Sequence, residues 1–233
     1  MDSLVDHPIS RRWPAKNPEL LQLYSYPTPN GVKVSIALEE MGLAYEAHTV
    51  KISGEQHTPE FLALNPNNKI PAIIDPNGPD GQVIALWESG AILLYLAEKS
   101  GQLLPRDARA RAQTQQWLMF QMGGLGPTFG KYGYFKKFAG KDIEDPRPRQ
   151  HFIDESRRLL NVLEQQLDGQ DYIQSDEYTI ADIAIFPWLR AVRDAYGAFE
   201  DFQMASYTHT MTYLDRCLDR PAVKRGLVVP PTE

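Results

Sequence analysis

Strand signals stop at Gly101. Before that point short apolar runs alternate with stretches of helical spacing. After it only helical spacing remains. Such a chain cannot form one uniform bundle or sandwich. It calls for a small layered α/β unit followed by an all-helical one. The expected division is an extended arm over 1–19, a mixed domain over 20–100, a linker over 101–108 carrying Pro105, and a helical domain over 109–233.

Within the mixed part, Leu20–Tyr26 reads as a strand ending in the turn Pro27-Thr28-Pro29-Asn30-Gly31. Apolar residues at 34, 37, 38 and 41 then mark a helix, with Gly42 where a helix stop belongs. Tyr45–Ile52 is a second strand and Pro59–Leu64 a short helix. Ile70–Ile74 and Val83–Trp87 form a hairpin, and Ser89–Lys99 is helical. The order is β-α-β-α-β-β-α, that of a thioredoxin-like domain. Further on, a long helical pattern over 106–138 is interrupted by Gly123-Gly-Leu-Gly-Pro127. Helical patterns resume over 150–168, 180–196 and 207–218. Thr179 and Asp182 make a capping box flanked by Tyr178 and Ile183 as a staple, a structural feature. The arm carries Pro8, Pro14 and Pro18 and no periodicity. It reads as a frayed tail in preference to a strap anchored by Trp13.

Composition removes several classes of function. The 24 basic and 30 acidic residues leave a net charge of −6, which argues against a nucleic-acid binder that works by neutralising phosphates. The longest apolar run, Ala91–Ala97, is too short to span a bilayer, and the amino terminus lacks a secretory pattern. One cysteine, Cys217, allows neither an internal disulfide nor a cysteine-based zinc site. The five histidines have no metal-like spacing, so no metal is expected. A reducing cytoplasmic setting fits this cysteine usage. Cys217 itself lies on a helical pattern and reads as a small buried hydrophobe, as Trp117 and Trp188 read as core.

Redox domains of this fold often carry a Cys-x-x-Cys motif in the first turn; this turn has none. Either redox chemistry is absent, or the thiol arrives with a small molecule. The turn feeds a helix whose first amides lack acceptors and whose dipole favours an anion. Thr28 and Asn30 add a hydroxyl and an amide donor, although both are also ordinary turn and cap residues. Two further places point to a ligand. Ile70-Pro71 sits where this fold carries a cis proline, which would offer the Ile70 backbone to an extended peptide. Glu88-Ser89 opens a helix whose amides suit a carboxylate, with Glu88 available to an ammonium. Together a thiolate holder, a peptide clasp and an amino-acid clasp match glutathione.

The segments Asn65-Pro-Asn-Asn-Lys-Ile-Pro-Ala72, Glu88-Ser-Gly-Ala-Ile-Leu-Leu-Tyr-Leu-Ala-Glu98 and Tyr178-Thr-Ile-Ala-Asp-Ile-Ala184 resemble glutathione transferase signatures. Tyr24-Ser-Tyr-Pro-Thr-Pro-Asn-Gly31 and Gln121-Met-Gly-Gly-Leu-Gly-Pro127 are similar to the bacterial nu class, relatives of the fungal nitrogen-regulator-like transferases. The resemblance runs from about Leu20 to Gly226.

It implies a thioredoxin-like domain followed by an all-α domain, and a homodimer acting on a small-molecule disulfide or hydroperoxide. One or two glutathiones, reduced or oxidised, would bind per site. It implies that Thr28 and Asn30 hold the glutathione sulfur, and that Gln56, Lys69, Ile70, Pro71, Glu88 and Ser89 bind the rest of the tripeptide. The class often has an arginine at the start of the helix containing Glu155–Arg158. Here His151 stands at that place with Arg149 nearby, and either is a candidate for a second glutathione. Phe129, Tyr132 and Tyr134 are candidates for an apolar acceptor pocket between the domains. A non-catalytic glutathione-binding module, with the arm as an interaction element, is the competing reading.

Overall fold

A computed structural model describes residues 6–232. They group into two units. One is the chain up to Gln102 joined by the chain from Pro221 onwards; the other is Leu103–Arg220.

The first unit is built on four strands: β1 (Leu21–Ser25), β2 (Tyr45–Thr49), β3 (Ala72–Asp75) and β4 (Ile84–Trp87), in the spatial order β2-β1-β3-β4. β1 runs parallel to β2 and antiparallel to β3, and β3 runs antiparallel to β4. Every residue of β1 and β3 is buried, as expected of central strands covered on both faces. Between the strands lie α1 (Gly31–Met41) and α2 (Pro59–Leu64), and α3 (Ser89–Ser100) follows β4. α1 ends where Gly42 takes the left-handed conformation at φ 64°. It packs against α3.

The arm is not a frayed tail over its described length. Pro8–Arg11 forms a 3₁₀ turn that drives Ile9, wholly buried, into a cluster with Tyr24, Val50, Phe61, Leu64, Ala72 and Ile74. Burying such a side chain contributes on the order of 2 kcal/mol. The Trp13 indole donates to the Thr49 carbonyl at 2.9 Å, and its ring meets Tyr24 and Phe61 edge-on. Further along, the Glu46 carboxylate accepts the amides of Lys16 (2.9 Å) and Asn17 (2.7 Å). These anchors occur at irregular intervals, so periodicity could not reveal them. Residues 1–5 of the expected arm lie outside the described residues.

The chain's last stretch also departs from expectation. The sequence pattern puts it in the helical domain, but α9 (Pro221–Gly226) packs on α1. The Ser35 hydroxyl donates to the Gly226 carbonyl at 2.7 Å, and Arg225 pairs with Glu39 at 2.6 Å. Gly226 must be glycine for this approach, because a Cβ there would lie 2.6 Å from the Ile36 Cα.

The second unit contains α4 (Ala108–Phe120), α5 (Gly126–Lys136), α6 (Arg147–Gln166), α7 (Ile180–Arg190) and α8 (Thr208–Asp219). The glycine run between α4 and α5 is not a break. Residues Gln121–Leu125 form a π turn, and the Gly126 amide donates to the Gln121 carbonyl. Pro127 lacks an N–H and collides with the carbonyl four residues back in an α-helix; the wider turn just before it relieves this. Gly126 also lets the Gln121 amide and the Trp188 indole approach, since a Cβ would meet them at 2.4 and 3.2 Å. α7 begins with the anticipated capping box, in which Asp182 accepts the Thr179 amide at 2.7 Å. Trp117, Trp188 and Cys217 are buried. Among the described residues, no helix is long and apolar enough to cross a membrane.

Candidate functional site

The sheet places three segments on one edge. His48, Tyr24, Ala72 and Trp87 are register partners across β2-β1-β3-β4. β4 ends at this row, β1 ends one residue beyond it, and β3 begins there. The turn after β1 carries Thr28 and Asn30. The residues just before β3 are Ile70 and Pro71, and those just after β4 are Glu88 and Ser89. Strand pairing therefore gathers residues that lie up to 61 positions apart in sequence (28 to 89).

In the first turn, the Thr28 hydroxyl accepts the Gly31 amide at 3.1 Å, and the Val32 amide donates to the Thr28 carbonyl at 3.0 Å. A hydroxyl that accepts keeps its proton to donate elsewhere. Asn30 is the N-cap by position, yet it makes no side-chain cap bond. Thr28, not Asn30, does the capping. Gly31 cannot be replaced, because a Cβ there would sit 1.9 Å from the Tyr26 carbonyl oxygen. Both Thr28 and Asn30 are half-buried at the start of α1.

The Ile70–Pro71 bond is cis, as the fold context leads one to expect. Its approach is organised by Asn65, buried to 1% exposure, whose side chain donates to the Lys69 carbonyl at 2.6 Å and accepts the Asn67 amide at 2.9 Å. Ile70 is half-buried and Lys69 exposed. In the sequence Asn65 only opens a segment that resembles a family signature, with no role of its own. Its turn-forming residue type gave the signal; its burial did not show in the sequence.

At the third segment, Glu88 has φ 73°, the left-handed side of backbone space, where a non-glycine residue is strained by roughly 1–3 kcal/mol. This backbone exposes its carboxylate while Ser89, next in the chain, is buried at the first position of α3. Strain of this kind gathers at ligand clamps. Gln56, the remaining candidate in this unit, is turned onto its own loop. Its amide donates to the Ile52 carbonyl at 2.9 Å and accepts the Gly54 amide at 3.1 Å.

Sequence reading missed Lys33. It lies in the first turn of α1, three residues after Asn30, with 0% exposure. Burial pushes its ammonium down to about 7, against the pull of the Glu88 carboxylate. The available signal was its place one and two helical turns before the buried Ala37 and Met41, on the apolar stripe.

The second unit treats its candidates differently. Phe129 and Tyr132, expected to line an acceptor pocket, are wholly buried against Phe202. The Tyr132 hydroxyl donates to Asp201 at 2.8 Å, and Lys136 pairs with the same carboxylate oxygen at 2.7 Å. Both residues are core, drawn inward by the spacing of α5. Tyr134 is 41% exposed. Its ring meets Phe135, which stacks on Phe152, which meets His151 edge-on. Arg149 and His151 are both exposed in the first turns of α6. Arg149 also bears electrostatically on Tyr132 and Asp201. Among the described residues, no group of three or more His, Cys, Asp or Glu is placed to hold a metal ion.

A four-stranded mixed sheet with this row of helix starts, followed by a helical unit, defines the glutathione transferase class. The glutathione S-transferase N-terminal domain family matches residues 19–98, and its C-terminal domain family matches 134–221. The chain belongs to this family, a family of enzymes. It is 41% identical to the Escherichia coli disulfide-bond oxidoreductase YfcG over 211 residues, covering 90% of this chain and 95% of that protein. It is 43% identical to YghU, a second disulfide-bond oxidoreductase of that organism, covering 90% of this chain and 74% of the other. A glutathione transferase from Pseudomonas putida, crystallised with one glutathione disulfide per subunit, superposes with a TM-score of 0.96 at 58% identity, covering 98% of this chain and 99% of that one. One from Burkholderia graminis, with two glutathione molecules per subunit, gives 0.97 at 57% identity, with coverages of 100% and 98%.

Proposed function

We propose that the protein is a glutathione-dependent disulfide-bond reductase of the nu class, in which bound glutathione supplies the reactive sulfur. The observation that carries this reading is the row Tyr24–Ala72–Trp87, which brings a hydroxyl-bearing helix start, the cis Ile70–Pro71 segment and an acidic helix start to one edge. These are three groups that a thiol tripeptide with an amino-acid head would use. The relatives named as disulfide-bond oxidoreductases, and the neighbours holding glutathione disulfide or two glutathiones, support it.

Thr28 donates its hydroxyl proton toward the sulfur and Asn30 its side-chain amide. With the α1 amides and dipole they favour thiolate over thiol. The Ile70 backbone pairs with the cysteinyl segment. Glu88 takes the α-ammonium, and Ser89 with the first amides of α3 takes the γ-glutamyl carboxylate. Lys69 and Gln56 serve the glycyl end, Gln56 after turning from its own loop. The thiolate attacks one sulfur of a disulfide, forms a mixed disulfide and expels the other half as thiolate. A second glutathione thiolate attacks the glutathione sulfur of that mixed disulfide, giving glutathione disulfide and releasing the second thiolate. The enzyme's own Cys217 takes no part, being buried, with its thiol pushed well up in pKa by that burial. Arg149 and His151 are candidates to hold the second glutathione. Organic hydroperoxides are a further electrophile class for the same thiolate. The reading takes the chain as a homodimer in a reducing compartment such as the cytoplasm, where glutathione is kept reduced.

The test is the rate of disulfide reduction by glutathione in Thr28→Ala and Asn30→Ala variants. Each should lower kcat/KM by on the order of 10²-fold, while Thr28→Ala loses about 1 kcal/mol of stability with its cap. The thiol of glutathione bound to wild type should ionise well below its free value, read by thiolate absorbance. Unchanged rates in both variants, or a bound thiol no more acidic than the free one, overturn the reading. Tight glutathione binding without turnover would mark a binding module instead.

A further inference from the structure

Among the described residues, Lys33 is the one lysine or arginine that is buried. Its position is doubly unfavourable for a cation. It is removed from water, which disfavours charge. It also stands in the first turn of α1, where the helix dipole presents its positive end. A lysine in such a place tends to give up its proton, and a carboxylate nearby works against that loss. α1 and α3 pack together and start from the same sheet edge, because β1 and β4 run in the same direction. The carboxylate that bears on Lys33 is that of Glu88, at the start of α3. Glu88 is exposed, so only one end of this pair is in water. Its backbone is held at φ 73°, a conformation a non-glycine residue adopts only where its surroundings impose it.

We propose that Lys33 is a positioning residue for the amino-acid head of glutathione: its buried ammonium holds the Glu88 carboxylate in the place where the ligand's α-ammonium is received. The proposal rests on the glutathione reading above. Lys33 itself touches no ligand atom in it. The residue acts from beneath, much as an outer partner orients a metal-binding histidine. A methionine of similar length would fill the space and leave Glu88 free to swing toward water. An arginine would keep the charge on a wider, planar head that fits the same space poorly.

The experiment compares binding of two ligands by calorimetry: glutathione, and glutaryl-cysteinyl-glycine, which lacks only the α-amino group. Wild type should favour glutathione about tenfold, the worth of a charged hydrogen bond. No preference in wild type would remove the glutathione-head assignment itself, before Lys33 is touched. Given that preference, Lys33→Met should reduce the ratio at least threefold, Lys33→Arg should restore it in part, and Lys33→Met/Glu88→Gln should be no worse than Glu88→Gln alone. A purely structural lysine would instead lower melting temperature and weaken both ligands equally. An unchanged ratio in Lys33→Met, or effects that simply add in the double variant, overturns the proposal. Should Lys33→Met not fold, the ratio in Lys33→Arg decides it by the same criterion: reduced supports, unchanged overturns.

Discussion

Two kinds of helix start in this molecule use the same chemistry to opposite ends. At α7, Thr179 and Asp182 place a hydroxyl and a carboxylate against the first amides, and the chain consumes everything it offers. Asp182 is wholly buried. It accepts the amides of Ile173 (3.0 Å) and Thr179 (2.7 Å) and the Thr179 hydroxyl (3.1 Å). At α1 and α3, Thr28 caps with one oxygen, Asn30 does not cap at all, and Glu88 turns outward on a strained backbone. Acid at a helix start is thus structural where backbone amides take up its oxygens and available where it stays exposed. Residue type alone does not separate the two cases; burial and bonding to amides do.

Three substitutions sharpen this contrast. The largest effect is expected at the closed site. Asp182→Ala leaves two buried amides and a hydroxyl without an acceptor and should lower unfolding free energy by about 3 kcal/mol, read by urea denaturation. A loss no larger than that of an exposed cap would erase the distinction. At the open site, Glu88→Gln should change stability little while weakening glutathione about tenfold, read by titration calorimetry. Equal losses in fold and affinity would show that α3 begins like α7 after all.

The smallest effect concerns Glu46, which clasps the arm as Asp182 clasps its helix but from a more exposed place. Glu46→Gln should remove about 1 kcal/mol near neutral pH. Burial opposes ionisation of Glu46, but the Lys16 and Asn17 amides outweigh it and hold its pKa below the ordinary 4.5. The sign follows: the folded state binds this proton less readily than the unfolded one. The contribution is complete above pH 4.5 and is withdrawn as pH falls through the lower folded value. Wild type and Glu46→Gln should therefore converge in stability on acidification. Parallel pH curves would place the clasp elsewhere.

The order of elements was legible because strand and helix periods differ and because Gly31, Gly42 and Pro59 punctuate them. The capping box was legible because its bonds are local. The site's composition could be named from its residues, but its assembly depends on strand register, which no local pattern carries. Most of what stayed hidden depends on distant contacts. Ile9 and Trp13 sit in an aperiodic segment, and the Tyr24, Thr49 and Phe61 they bury against lie 11 or more residues away. The spacing that made Phe129 and Tyr132 look like a lining is equally the spacing of core, and Phe202 claims them. The π turn hid as a break because glycine and proline punctuate both. Lys33 reads as a solvated charge until its helix face is seen.

The return of α9 to α1 has a consequence for how the protein comes into being. The helical unit, Leu103–Arg220, is one uninterrupted length of chain and has all its parts once residue 220 has been synthesised. The unit that carries Thr28 and Glu88 must wait for Pro221 onwards to supply its last wall. On the ribosome the later-encoded unit is therefore the first to be whole. A nonsense codon just after Arg220 would spare every residue of the helical unit, yet leave the other with the flank of α1 around Ser35 and Ile36 bare.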